Sequence, residues 1–416
     1  MPSQESYRDV LLRVIESVVA PGAAAVDASA EFPRAQVDAL GAAGILGLTV
    51  PAEHGGGGAG LREAAEVVRE LGSVCGSTAM IVTMHYAAVA ALTAAGDKET
   101  LTAIAGGAHL STLALSERGS RSHFWAPLST ATLIDAVLPG AAVPDTALPG
   151  AAVPDAALPD TGNGGMVRLD AHKSWVTAAG QADSYVWSSR PLDAVSGAVF
   201  GAAPGPMTLW LVPAGAAGLS VAGTFDGLGL RGNASAPMTA DGVTLPLGAM
   251  LGHDGAGLDL ALAAVLPVFL ICSAAMSAGL MRRLANEVAA HLRTTRLEHL
   301  GVSLGQQAAP RARLARLRIE ADRTWALVSE TIGAVEQGRD DAQLLVLEVK
   351  AAAGEAAADA ADLALTAAGG AAYRKESVVE RLFRDSRAAR VMAPTTEALH
   401  DFIGRALLGL PLLGEV

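Results

Sequence analysis

LALAAVLPVFLICSAAMSAGLM, from Leu260 to Met281, runs for 22 residues without a charged side chain. A stretch of that length and apolarity fits a helix across a bilayer or a helix buried on all sides within a protein. The choice between them decides the fold. Pro267, the several Ala and Ser residues and Asp259 at the near edge weigh against a lipid-facing span. The segment therefore reads as the central helix of a bundle, with no membrane insertion.

The rest of the chain is composed for the same kind of packing. Of its 416 residues 51% are apolar and 17% charged, far from the composition of a disordered chain. Aromatics make up only 4%, so the cores must close through small side chains. Alanine runs such as Ala351 to Ala364 favour helix, because Ala loses no side-chain entropy there. A net charge of -12 excludes a nucleic-acid partner, which needs clustered Lys and Arg to displace counterions. Cys75 and Cys272 lie in apolar surroundings without metal-ligand spacing, so reduced thiols and no metal site are expected. The N-terminus, MPSQESYRDV, lacks the basic start and apolar core of an export signal, which together with the thiols points to the cytoplasm.

Working outward, three regions separate. Residues 1–110 are helical, broken at Pro33, Pro51 and the run Gly55 to Gly58. Residues 111–250 change to short segments rich in Val, Leu, Thr and Trp, such as Ser184 to Ser188 and Met207 to Val212, and predict a small β-barrel-like domain. Residues 251–416 return to long helices, broken near Gly305 to Pro310 and Gly369 to Ala372, and predict a four-helix-bundle-like domain. The fold class is thus mostly α with a central β domain. Inside that domain, AVLPGAAVPD (Ala136 to Asp145) is followed by TALPGAAVPD and AALPD, which places proline at 139, 144, 149, 154 and 159. This insertion over residues 136–160 admits neither helix nor central strand, since each proline removes a donor and fixes φ. It predicts an extended surface loop.

Among chemical motifs, Gly227-Leu228-Gly229-Leu230-Arg231-Gly232 matches the spacing of a dinucleotide fingerprint. Asn233-Ala234-Ser235-Ala236-Pro237 follows, which opens no amphipathic helix, and no strand–helix–strand unit surrounds it. A Rossmann site is not expected. No nucleophile-elbow serine, phosphate-loop lysine or zinc motif is present either.

Several ordered motifs together resemble the acyl-CoA dehydrogenase superfamily across nearly the whole chain outside the insertion. Phe32-Pro33, Leu40-Gly41 and GILGLTVPAEHGGGG (Gly44 to Gly58) look like its opening helical domain. Leu115-Ser116-Glu117 is similar to its Leu-Thr-Glu segment, and Lys173-Ser174-Trp175-Val176-Thr177 to its Lys-x-Trp-Ile-Thr segment. Gly229-Leu230-Arg231-Gly232-Asn233 stands where the family has Gly-x-Arg-x-Ser. Ala368-Gly369-Gly370 precedes Val379-Glu380-Arg381-Leu382-Phe383-Arg384-Asp385-Ser386-Arg387, similar to the family's Val-Glu-Arg-x-x-Arg-Asp-Ala-Arg helix.

That resemblance implies bound FAD. It assigns Trp175 to the ring, Thr177 and Ser116 to hydroxyl contacts with it, and Ser122 to the pyrophosphate. An aromatic face suits the apolar edge of the ring, and hydroxyl donors suit the charge that builds on it during hydride transfer. Family members are dimers of dimers in which one subunit completes its neighbour's cofactor site, and the corresponding residues here are Arg296, Gly369 and Gly370. A homo-oligomer, dimer or tetramer, follows.

The family's catalytic base is a Glu beyond the Arg-Asp-Ala-Arg helix, where counting from Arg384-Asp385 brings Ala393. A minority of members carry it on the first long C-terminal helix, where an ungapped count from Gly257 brings Val268. Neither residue takes a proton. Glu397 falls on a family Glu that is not the base, His123 and His172 are polar groups near the flavin segments, and Glu380 and Asp385 are expected to pair with Arg381, Arg384 and Arg387. Three classes of function follow. The first is an FAD-dependent oxidoreductase acting on an acyl thioester, carried by CoA or by a carrier protein, without the usual base. The second is oxygenation or a redox-neutral reaction on the same fold. The third is a non-catalytic binding protein or partner subunit.

Overall fold

The computed structural model describes residues 6–120, 123–134, 165–192 and 206–413. The Pro-rich repeat and Ser122 lie outside the described residues. The N-terminal domain comprises α1 (Tyr7–Val14), α2 (Ala20–Ser29), α3 (Arg34–Ala42), α4 (Leu61–Gly72), α5 (Gly76–Ala95) and α6 (Lys98–Ala105). Side chains hold the starts of two of these helices. Ser6 accepts from the Asp9 N–H at the start of α1, and Asp97 accepts from the Thr100 N–H at the start of α6.

The middle domain contains β1 (Ser111–Ala114), β2 (Thr130–Ile134), β3 (Met166–Val176), β4 (Ser184–Ser189), β5 (Thr208–Pro213), β6 (Leu219–Val221), β7 (Ala236–Pro246) and β8 (Met250–Leu251). They form two four-stranded sheets, ordered β1-β4-β5-β8 and β2-β3-β7-β6. The barrel-like shape expected of this domain is corrected accordingly: among the described residues both sheets are open. Along β3 the alternate residues Val167, Leu169, Ala171 and Lys173 face a buried interior, while Arg168 and His172 face outward, so one sheet face is covered and the other wet. The glycine-rich stretch Gly227 to Gly232 is a loop and opens no helix, as the residues after it predict.

The C-terminal domain begins with α7 (Gly257–Leu260), which passes through a π-helical turn (Ala261–Val265) into α8 (Leu266–Thr294). A short hairpin, β9 (Arg296–Leu297) with β10 (Val302–Ser303), leads to α9 (Ala308–Glu336), α10 (Ala342–Ala368), α11 (Val378–Ser386), α12 (Ala388–Val391) and α13 (Thr396–Leu407). α8 packs against α9 and α10 on one side and against α4 and α5 of the N-terminal domain on the other. Two continuous helices, Gly76–Ala95 and Gly257–Thr294, are long and apolar enough to cross a membrane, yet most of the apolar window of each is buried within the protein. The central-helix reading of Leu260 to Met281 stands on that packing. Glycine makes the packing close: a Cβ on Gly279 would lie 2.0 Å from the Arg69 carbonyl oxygen of α4.

The helix carrying Val379 to Arg387 locks the three domains together. Arg384 donates to Asp27 of α2 at 2.8 Å, to Glu380 at 2.7 Å and to the Leu228 carbonyl at 3.1 Å. The glycine loop is pressed onto the end of this helix, where a Cβ on Gly229 would lie 2.4 Å from the Arg384 carbonyl oxygen. Glu380 pairs with Arg384 as expected, and Arg387 reaches Asp362 of α10. Asp385 differs from expectation. It forms no ion pair among the described residues and instead accepts the Leu230 N–H at 2.7 Å.

Asp385 is 4% exposed, and burial pushes its carboxyl up to about 6 from the ordinary 3.8. A raised folded-state pKa means that its contribution to stability is full below about pH 3.8 and is lost as pH rises through about 6. Asp385→Asn keeps an oxygen for Leu230 and carries no charge. Denaturant unfolding should show the variant gaining on the parent protein by about 2 to 3 kcal/mol between acidic and neutral pH. A stability difference that stays constant with pH would refute this account.

Candidate functional site

The site is built around one buried ion pair. Lys173 on β3 lies 2.5 Å from Glu117, just beyond β1, and the two residues are 1% and 5% exposed. Lys173 also donates to the Ser188 carbonyl at 2.7 Å and its hydroxyl at 2.8 Å, on β4. Glu117 accepts from the Leu128 N–H at 2.6 Å and the Ser129 N–H at 2.9 Å. Burial works against both charges. It lowers the Lys173 ammonium, and it would raise the Glu117 carboxyl, which Lys173 and the donated hydrogen bonds nonetheless hold below its ordinary value.

This pair sews the two sheets together and sets their neighbours. Ser174 N–H donates to the Ser116 carbonyl and Arg118 N–H to the His172 carbonyl, each at 3.0 Å, so the two motifs run side by side. Between Lys173 and Val176, β3 carries one residue more than its partner β7. Such a bulge re-aims side chains, and here the bulged segment contains Trp175, whose ring is 66% exposed beside a fully buried Lys173.

Ser116 and Trp175 meet at an apolar cleft of about 510 Å³, a volume that includes its open mouth. All three domains line it. Met84 comes from α5, and Leu113, Leu115 and Phe124 from the β domain. Ala261 and Val265 come from the π turn, Leu266 and Phe269 from α8, and Ala393 and Pro394 from the turn between α12 and α13. Among the described residues no lining side chain is ionisable. Such a cleft takes an apolar ligand and orients it through few polar groups.

Of the residues predicted for the site, the structure brings Ser116, Trp175 and Ala393 to this cleft. Thr177 is not in the lining: it is 5% exposed and its hydroxyl meets that of Ser235 at 3.1 Å. Val268 is not in the lining either, and its helix presents Leu266 and Phe269 there instead. A π turn over Ala261–Val265 sets the phase with which the helix presents these residues. Arg296, Gly369 and Gly370 lie on the surface apart from the cleft, with Arg296 donating to the Gly301 carbonyl at 2.8 Å. His123, His172 and Glu397 do not line it.

Sequence reasoning missed Lys350. It is 1% exposed on α10 and donates to the carbonyls of Ala389, Met392 and Pro394 at 3.1, 3.0 and 2.7 Å. A signal was present, since Lys350 follows Val346 by four residues and precedes Ala353 by three, on the apolar face of an alanine-rich helix.

Known proteins agree with this architecture. Residues 1–103 match the acyl-CoA dehydrogenase N-terminal domain and residues 255–408 match the acyl-CoA dehydrogenase C-terminal domain. The probable acyl-CoA dehydrogenase YngJ of Bacillus subtilis (strain 168) is 25% identical over 97% of this chain and 98% of its own. Butyryl-CoA dehydrogenase from Megasphaera elsdenii shares the fold with a TM-score of 0.82 at 19% identity, covering 98% of this chain and 100% of that one. FkbI, which serves biosynthesis of the methoxymalonyl extender unit of the polyketide Fk520, has a TM-score of 0.77 at 26% identity, covering 98% of this chain and 100% of its own.

Lys173→Met should lower stability by roughly 3 to 5 kcal/mol, because it strands the Glu117 carboxylate in a dry interior. Adding Glu117→Gln should recover part of that loss. Urea unfolding of the single and double variants measures both effects, and a loss under about 1 kcal/mol in the single variant would show that the pair does not hold the sheets.

Proposed function

This chain belongs to the acyl-CoA dehydrogenase superfamily, and from that premise we propose that it is a flavoprotein holding FAD beside an acyl thioester in the apolar cleft. The observation that carries this reading is the joint presence of Ser116 and Trp175 on a cleft whose described lining holds no ionisable side chain. The residues suit the cofactor. Trp175 offers an uncovered aromatic face, and Ser116 a hydroxyl without a protein partner among the described residues. When bound, FAD supplies a hydride acceptor.

The chain's own residues do the rest. Trp175 would offer an aromatic face to the flavin ring, and Ser116 would offer it a hydroxyl. Phe124, Leu266 and Phe269 cover an acyl chain and exclude water from it. Ala393, in the family's usual base position, lines the cleft but accepts no proton. Removal of an α proton therefore lacks an acceptor among the lining residues, which costs roughly 3 to 5 kcal/mol of barrier. The same observation favours a second reading, in which the flavin serves oxygenation or a redox-neutral reaction that needs no base at that position. The surface placement of Arg296, Gly369 and Gly370 supports a homo-oligomer in which they complete a neighbour's FAD site. Two buried free thiols support a cytoplasmic location.

Loss of oxidised-flavin absorbance after anaerobic mixing tests the reading, using saturated acyl-CoAs of several lengths and a malonyl-type thioester. The unaltered protein should purify yellow and bleach slowly. Ala393→Glu should speed bleaching at least about tenfold, a modest part of what a placed base supplies. Rapid bleaching of the unaltered protein would refute the missing base, and a protein that takes up no FAD would be a non-catalytic member of the family.

A further inference from the structure

Lys350 stands behind the cleft wall formed by Ala393 and Pro394, and its environment is unusual for a lysine. Its side chain crosses from α10 to the turn after α12 and meets three backbone carbonyls, those of Ala389, Met392 and Pro394. An ammonium has three N–H groups, and here each finds one acceptor. Two of these acceptors flank Ala393 in sequence, and the third belongs to the short helix that leads into the turn. Burial pulls the ammonium's pKa down to about 7, with no nearby carboxylate to offset it. A charge kept in such a place without a counterion costs stability, and an apolar side chain of similar volume would avoid that cost. The carbonyls gain in return, because a turn entering the core has few other donors for its backbone oxygens.

We propose that Lys350 is a positioning residue that fixes Ala393 and Pro394 as one wall of the cleft and thereby sets how much room the cleft leaves for a branch at the α carbon of a bound acyl group. The ligand half of this proposal rests on the acyl-thioester reading given above, whereas the wall half stands on the geometry alone. The Lys350 bonds join positions 39, 42 and 44 residues apart in sequence, and they tie α10 to the turn that lines the cleft together with Trp175 and Ser116. Without them the turn rests on the α13 cap, in which Thr395 accepts from the Ala398 N–H.

The test uses the full-length protein with Lys350→Met, which keeps the volume and removes the donors. Hydrogen–deuterium exchange should quicken roughly tenfold or more in peptides spanning residues 388–396, and stay unchanged in β3 and α8. Equilibrium binding of butyryl- and isobutyryl-CoA should lose its preference between the unbranched and the α-branched chain, with the ratio of their affinities narrowing at least about threefold. Unchanged exchange in this turn, or faster exchange spread evenly over the protein, would overturn the proposal. So would faster local exchange with that preference intact. Should Lys350→Met fail to fold, Lys350→Gln retains two N–H donors on a shorter chain and is read by the same measurements. If the unaltered protein binds no acyl-CoA at all, the acyl-thioester reading fails, and the exchange result still decides whether Lys350 holds the wall.

Discussion

The close approach of α8 to α4 is the constraint on which the rest of the structure depends. With few aromatics to wedge between helices, the core brings backbones nearly into contact, and Gly279 faces the Arg69 carbonyl oxygen with no room for a side chain. Ala275, one turn before Gly279 and also buried, continues the same small-residue surface. Packing of this kind yields many dispersion contacts for little side-chain entropy, and it leaves little freedom for either helix to slide. Because Leu266 and Phe269 open α8, and the π turn carrying Ala261 and Val265 precedes it, the placement of this helix also places one side of the cleft.

Small, smooth side chains pack densely but specify orientation weakly, and buried polar groups supply the orientation. Lys173 and Glu117 join two sheets, Arg384 bridges three domains, and Lys350 ties the last turns of the bundle to α10. Each of these groups gives up water, and each is matched by several partners, as the cost of desolvation requires. The bonds also fall where segments distant in sequence meet. Asp385 and Leu230 are 155 residues apart.

The same economy shapes the cleft. Ionisable groups such as Lys173, Glu117 and Lys350 hold the walls, and among the described residues none lines the cleft itself. A flavin and an acyl chain need apolar cover and a few hydroxyl or backbone donors, which this lining supplies. Proton removal from carbon needs more, namely a group of suitable pKa within reach. In the proposed reading the described lining therefore serves binding, and acid–base chemistry is not assigned to it.

Much of this was determined by sequence alone. The order of helical, β and helical regions follows from periodicity and from the breaks at Gly and Pro, and the burial of Leu260 to Met281 follows from a run too apolar to face water. Ser116, Trp175 and Ala393 were legible because ordered motifs surround them. Tertiary structure alone decided the rest. Val268 stands outside the cleft lining while Leu266 and Phe269 of the same helix stand in it, a facing set by how the helix packs and announced by no residue type. The partner of Thr177 and the three carbonyls around Lys350 likewise depend on segments brought together by folding. A sequence states which groups must be buried and satisfied, but only the packed chain determines which distant backbone atoms stand close enough to satisfy them.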